Sequence, residues 1–175
     1  FENVENNDFK AVNQFTVVND RHTRRPDIVV FVNGLPLAVF ELKNPASEDA
    51  TVYDAFCQIK TYTHQISNLF RFNEINVASD GIEARMGTIT SSYPRYMQWK
   101  QTPGPSAHSP VEPGVDTLVN EVFKPGVILD LARNFVVFDE DEKKLSKKIA
   151  AYHQFHAVNK AVESTLKASA PDGDK

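Results

Sequence analysis

The sequence has 175 residues, 41% hydrophobic and 24% charged, the balance of an ordinary soluble globular domain with enough chain to bury a sizeable core. A formal net charge of −4 and a pI near 5.7 exclude a protein that holds nucleic acid by overall positive charge, though not one with a local basic patch. No apolar run approaches the roughly 20 residues of a membrane span, no basic-then-apolar leader opens the chain, and the single cysteine, Cys57, cannot pair internally, so a cytoplasmic protein is expected. The first residue is Phe1 rather than Met, as in a fragment or a chain that has lost its beginning.

Residues 1–14 are polar and Asn-rich and read as irregular chain or a frayed helix end. FTVVN (15–19) has strand composition, and NDRHTRR (19–25) is a basic connector. Residues 27–32 and 37–43 read as two strands about Asn33-Gly34, a strong hairpin turn signal. Asn44-Pro45 stops the second strand. A helix follows over about 49–67, with Val52, Phe56, Ile59, Thr63 and Ile66 as its inward stripe. INVASDG (75–81) and EARMGTIT (83–90) read as strands. Residues 101–115, rich in Pro, Gly and Ser, read as a loop. Helices are expected at 115–123 and 126–135, then a short apolar stretch with a charged link, then a helix from 143 to 168. The tail, 169–175, reads as disordered. The order predicts an α/β fold: a mixed sheet flanked by helices over 1–100, and a helical C-terminal extension over 116–168.

The hairpin RRPDIVVFVNGLPLAVFELKNP carries three charges among apolar residues: Asp27, Glu41 and Lys43. Ionised groups inside a sheet are expensive. Alternation puts Asp27, Val29 and Phe31 on one face, and Val39, Glu41 and Lys43 on one face of the partner. A simple two-residue turn pairs Asp27 with Phe40 and sends Glu41 to the other side. Cooperation of the carboxylates therefore demands an extra turn residue or a bulge, and Pro36, which lacks an N–H, makes a suitable place. Paired carboxylates repel, and a divalent cation relieves them. Mg²⁺ takes one or two carboxylates plus water and phosphate oxygens, and a nearby ammonium stabilises charge on a phosphorane oxygen. That is a site for metal-assisted phosphodiester hydrolysis. By themselves, Glu41 and Lys43 also read as a surface pair worth little. Gln58 and Tyr62, four apart, share a helix face offset from the apolar stripe and beside this edge, where they could orient a water and donate to phosphate, or simply be half-exposed.

Pro26-Asp27, Glu41-x-Lys43 and Gln58-x-x-x-Tyr62 resemble the PD-(D/E)xK nuclease fold in its RecB-like branch. NNDFKAVNQFTVVN, the RRPDIV…ELKNP string, SDG and AAYHQFHAVNKAVE together resemble the N-terminal part of the R subunit of type I restriction enzymes, from about Glu5 to Glu163. The resemblance implies an endonuclease that cuts double-stranded DNA with Mg²⁺ and is joined to an ATP-driven, helicase-like translocase. Asp27 and Glu41 would be metal ligands, Lys43 the catalytic lysine, and Gln58 and Tyr62 an accessory pair. Target recognition and methylation would belong to separate specificity and modification subunits. No G-x-x-x-x-G-K-[ST] phosphate loop occurs in this sequence, so ATP hydrolysis is not assigned to it. Residues 116–168 would lead toward the motor, with Gln154 of YHQF touching adenine in the full subunit. The rival readings are another RecB-like nuclease and a degenerate nuclease fold used for docking.

Arg24 and Arg25 read equally as DNA phosphate contacts or as partners of acidic neighbours. His153 and His156 have H-x-x-H spacing but no Cys or Glu partners nearby. Lys143, Lys144, Lys147 and Lys148 read as a solvated basic face compensated by the preceding acidic run. Cys57 is expected to pack, while Tyr93, Tyr96 and Trp99 read as either core or interface.

Overall fold

The computed structural model describes residues 3–46, 50–100, 114–141 and 144–170. Its centre is a five-stranded mixed sheet in the order β1 (Phe9–Asn13), β4 (Ile28–Val32), β5 (Leu35–Leu42), β6 (Ile75–Ser79), β7 (Ala84–Gly87). Only β5 and β6 run parallel, joined through helix α1 (Val52–Gln65). A small hairpin, β2 (Val17–Asn19) and β3 (His22–Arg24), lies between β1 and β4 in the chain.

The Asn33-Gly34 turn is the two-residue type that the sequence suggests. Both residues have positive φ, 53° and 79°, matching the right-handed twist of the flanking strands. Val32 pairs with Leu35 and Phe31 with Pro36, but Val30 pairs with Ala38. Leu37 is the extra residue of a β-bulge. It packs with Val32 and Leu129, so Leu37 and its neighbour Ala38 both face the same layer. The carbonyl of Leu37 accepts from Glu74 N–H at 2.8 Å, so the bulge leaves it satisfied. Beyond the bulge Ile28 pairs with Phe40, and one further pair sets Asp27 across from Glu41.

Helix α1 covers one face of the sheet. It opens with a capping box in which Thr51 Oγ accepts from Asp54 N–H and the Asp54 carboxylate accepts from Thr51 N–H. Val52, Ala55, Phe56, Ile59 and Tyr62 are buried against Val29, Val39 and Ala78. Tyr62 belongs to this apolar stripe rather than beside it, and Thr63 is only half-buried. Burying each large apolar side chain here contributes about 1.5–3 kcal/mol.

The opposite face packs on α2 (Gly114–Glu121) and α3 (Pro125–Asn134) through Ala38, Phe40, Val77, Leu118, Ile128 and Leu131. These two helices therefore complete the core instead of forming an extension, and α2 begins within the expected 101–115 loop; the rest of that loop, 101–113, lies outside the described residues. Residues 1–14 also differ from expectation. They hold a short 3-10 turn, Val4–Asn6, and the edge strand β1, whose register runs from Phe9↔Val32 to Asn13↔Ile28.

The segment expected as a charged link and the start of a helix is a hairpin, β8 (Val136–Asp141) and β9 (Lys144–Ile149). Long-range partners override its local helical character. Lys147 N–H donates to Thr90 Oγ1 at 2.8 Å, and the Thr88 hydroxyl donates to Lys147 O at 2.6 Å. The Lys147 side chain is buried, 2.6 Å from Glu74 Oε2 and 2.7 Å from Asn73 O, not solvated. Lys148 pairs with Asp139, which matches the expected compensation. Helix α4 (Tyr152–Ser169) starts only after this hairpin. Phe155 anchors α4 between Trp99 and Phe135. Trp99 and Tyr96 are core residues, Tyr93 and Cys57 are half-buried, and Lys143 and 171–175 lie outside the described residues. Among the described residues, no helix is long and apolar enough to cross a membrane.

Candidate active site

The bulge at Leu37 brings Asp27 and Glu41 to the α1 face of the sheet, where Val29 and Val39 already pack. Glu41 is 6% exposed on a central strand. Its Oε1 accepts from Lys43 Nζ at 3.0 Å and its Oε2 accepts from the Tyr62 hydroxyl at 3.1 Å. Asp27 stands just before β4. Its Oδ2 accepts from Leu42 N–H at 2.8 Å and its Oδ1 from Gln14 Nε2 at 2.8 Å. Gln58, one turn earlier on α1, stands beside the Tyr62 hydroxyl. Glu41, Lys43 and Tyr62 thus form one hydrogen-bonded cluster, with Asp27 near enough for its charge to act on Glu41 and Tyr62 and with Gln58 beside Tyr62.

Lys43 lies one residue past β5. Its N–H donates to Ser79 O at 2.7 Å, continuing the β5–β6 ladder and fixing where the side chain departs. Gly81 supports the same exit. It has φ +90°, and a Cβ there would lie 2.9 Å from Pro45 Cγ, so the turn after β6 can close on the end of β5 only with glycine.

Burial raises the pKa of Glu41 above its ordinary 4.5; the Lys43 hydrogen bond opposes this, and the negative charge of Asp27 adds to it. Burial, reinforced by the Glu41 charge, pushes the Tyr62 hydroxyl up to about 12, so Tyr62 is a hydrogen-bond donor at neutral pH. The cluster holds two carboxylates against one ammonium.

That donor set suits a hard divalent cation. The four carboxylate oxygens of Asp27 and Glu41 each accept one hydrogen bond, and each keeps a second acceptor direction. Among the described residues no group of three or more His, Cys, Asp and Glu stands together as a ready-made cage. Two carboxylates completed by water and phosphate oxygens is the pattern Mg²⁺ uses.

The remaining candidates lie elsewhere or are already engaged. Arg24 Nε donates to Gln65 Oε1 at 2.6 Å, tying β3 to the end of α1. Arg25 is exposed between β3 and Pro26. Gln154 sits in the first turn of α4, where its Oε1 accepts from Ala151 N–H at 2.9 Å. His153 packs edge-on against Tyr152, and His156 packs edge-on against Trp99 and Phe155. Sequence reading missed Gln14, whose contact spans 13 residues and leaves no local pattern.

The family model for the type I restriction enzyme R protein N terminus matches residues 1–95. The chain is 44% identical to the HindI endonuclease subunit of Haemophilus influenzae over 100% of this chain and 17% of that protein. It is 34% identical to the putative MjaIXP endonuclease subunit of Methanocaldococcus jannaschii over 96% of this chain and 17% of that protein. An 80-residue stretch is 36% identical to an endonuclease subunit of Staphylococcus aureus, covering 45% of this chain. The chain thus spans about a sixth of the length of the first two of these relatives. On these matches the chain belongs to the family of type I restriction enzyme R proteins, as their N-terminal domain.

Proposed function

We propose that this domain is the endonuclease of a type I restriction system, a PD-(D/E)xK hydrolase that cuts double-stranded DNA with Mg²⁺. The observation that carries the proposal is the bulge at Leu37: it sets Asp27 and Glu41 on one face, with Lys43 and Tyr62 already bonded to Glu41. The names of the relatives as endonuclease subunits support the same reading.

Asp27 and Glu41 would hold the metal, which when bound supplies Lewis-acid polarisation of the phosphodiester and a more acidic water. Lys43 keeps its ammonium at Glu41 Oε1, 3.0 Å away, beside the place a scissile phosphate must occupy. From there it orients the attacking water or stabilises charge growing on the phosphorane oxygen. Tyr62 fixes the second Glu41 oxygen, and Gln58 beside it would orient a water or a phosphate oxygen. Arg25 is exposed near the Asp27 end of the site and would take a DNA phosphate. In the complete protein, ATP-driven translocation would deliver the DNA, Gln154 would face the nucleotide, and modification and specificity subunits would choose the target, all in the cytoplasm.

The test is Asp27→Ala and Lys43→Ala in the complete restriction complex with ATP and Mg²⁺. Each should lower DNA cleavage by at least about a hundredfold, with ATPase and translocation retained. Cleavage at the native rate by Asp27→Ala would overturn the proposal.

A further inference from the structure

Gln14 is tied to Asp27 twice. Its N–H donates to Asp27 O at 2.8 Å, and its Nε2 donates to Asp27 Oδ1 at 2.8 Å. It also has φ +53°, a left-handed conformation uncommon outside glycine. That turn ends β1 and sends Phe15 back to pack edge-on against Phe31, with ring centroids 5.2 Å apart. The backbone conformation thus has a packing purpose. The side-chain amide does not serve that packing; it serves the carboxylate.

Asp27 sits at the margin of the sheet, where its side chain could rotate freely. Two donors from different directions remove that freedom: Leu42 N–H on Oδ2 and Gln14 Nε2 on Oδ1. Leu42 belongs to β5, between Glu41 and Lys43. Its N–H therefore couples the position of Asp27 to the strand that bears Glu41. The Gln14 amide closes the other side and fixes the carboxylate plane. A carboxylate held in this way is preorganised as a cation ligand, and groups that orient metal ligands commonly govern metal affinity about 10–100-fold.

We propose that Gln14 is a positioning residue that orients the Asp27 carboxylate for divalent cation binding. This rests on the nuclease reading above. Gln14→Asn and Gln14→Gly both suit left-handed backbone and keep the backbone N–H to Asp27 O, yet the Asn side chain is one methylene too short for Asp27 Oδ1 and Gly has no side chain to offer it. Calorimetric titration of the chain with Mg²⁺ alone, without DNA, should show both variants binding about tenfold more weakly. Their thermal unfolding should match the native chain, and the Mg²⁺ concentration for half-maximal cleavage should rise while KM for DNA stays put. Native Mg²⁺ affinity in both variants, alongside lost affinity in Asp27→Ala, overturns the role of Gln14 and leaves the nuclease reading standing. Native affinity and cleavage in Asp27→Ala overturns both.

Discussion

The Tyr62 hydroxyl donates to Glu41 Oε2 across 3.1 Å, joining the last turn of α1 to the centre of the sheet. Both residues are buried, so the bond is a fixed part of the core as well as of the site. Removing the hydroxyl leaves one Glu41 oxygen without its donor in a place water reaches poorly. Tyr62→Phe should therefore cost about 1 kcal/mol or somewhat more, read from urea unfolding. It should also slow cleavage while leaving DNA affinity near native. A variant as stable and as active as the native chain would show the bond to be incidental.

Glu41 sets a pH dependence. Its folded pKa lies above the ordinary 4.5, so the fold prefers the protonated acid. That preference contributes fully below about 4.5 and is lost as pH rises through the folded value. Glu41→Gln, which cannot ionise, should unfold at a higher temperature than the native chain at pH 7, with the gap shrinking at pH 4. Each kcal/mol corresponds to about 2–4 °C for a chain of this size. Added Mg²⁺ should stabilise the native chain alone and narrow the gap at pH 7. A gap that does not change with pH would contradict the account.

Gly34 tests the turn without touching the site. A Cβ added there meets nothing within 4 Å, so a substitution costs only its backbone conformation, at φ +79°. Gly34→Ala should lose about 1–2 kcal/mol, measured by chemical denaturation. The bulge at Leu37 lies further along the strand, so Mg²⁺ binding should persist in the folded variant.

Lys147 holds the β8–β9 hairpin on the body of the fold through Glu74 and Asn73. The pair is largely buried, and removing one partner of a buried pair typically costs about 3–5 kcal/mol. Lys147→Ala should fall toward the lower end of that range, because the Glu74 side chain is 21% exposed and water can partly replace the lost ammonium. Hydrogen exchange should then accelerate in 136–149 before it does in the sheet. Uniform exchange throughout would show that the hairpin is not a separately held unit.

The local signals in the sequence were strong where chemistry is local. Asn33-Gly34 dictates its turn because few residue pairs accept two positive φ values. Asn44-Pro45 ends β5, and the spacing of Val52, Phe56 and Ile59 makes α1 amphipathic. Three charges inside apolar strands marked Asp27, Glu41 and Lys43, and alternation required a bulge if the carboxylates were to share a face. Tertiary structure decided where the bulge lies, at Leu37, where the side chain packs against Val32 and Leu129 and Glu74 N–H takes up the carbonyl. It also paired 136–141 with 144–149, since the hydroxyls of Thr88 and Thr90 that bind Lys147 lie more than fifty residues earlier. Gln14 gained its place in the same way. The order of residues thus named the charged groups and the faces they need. Contacts between distant segments, whose energies no local pattern carries, determined how those groups meet.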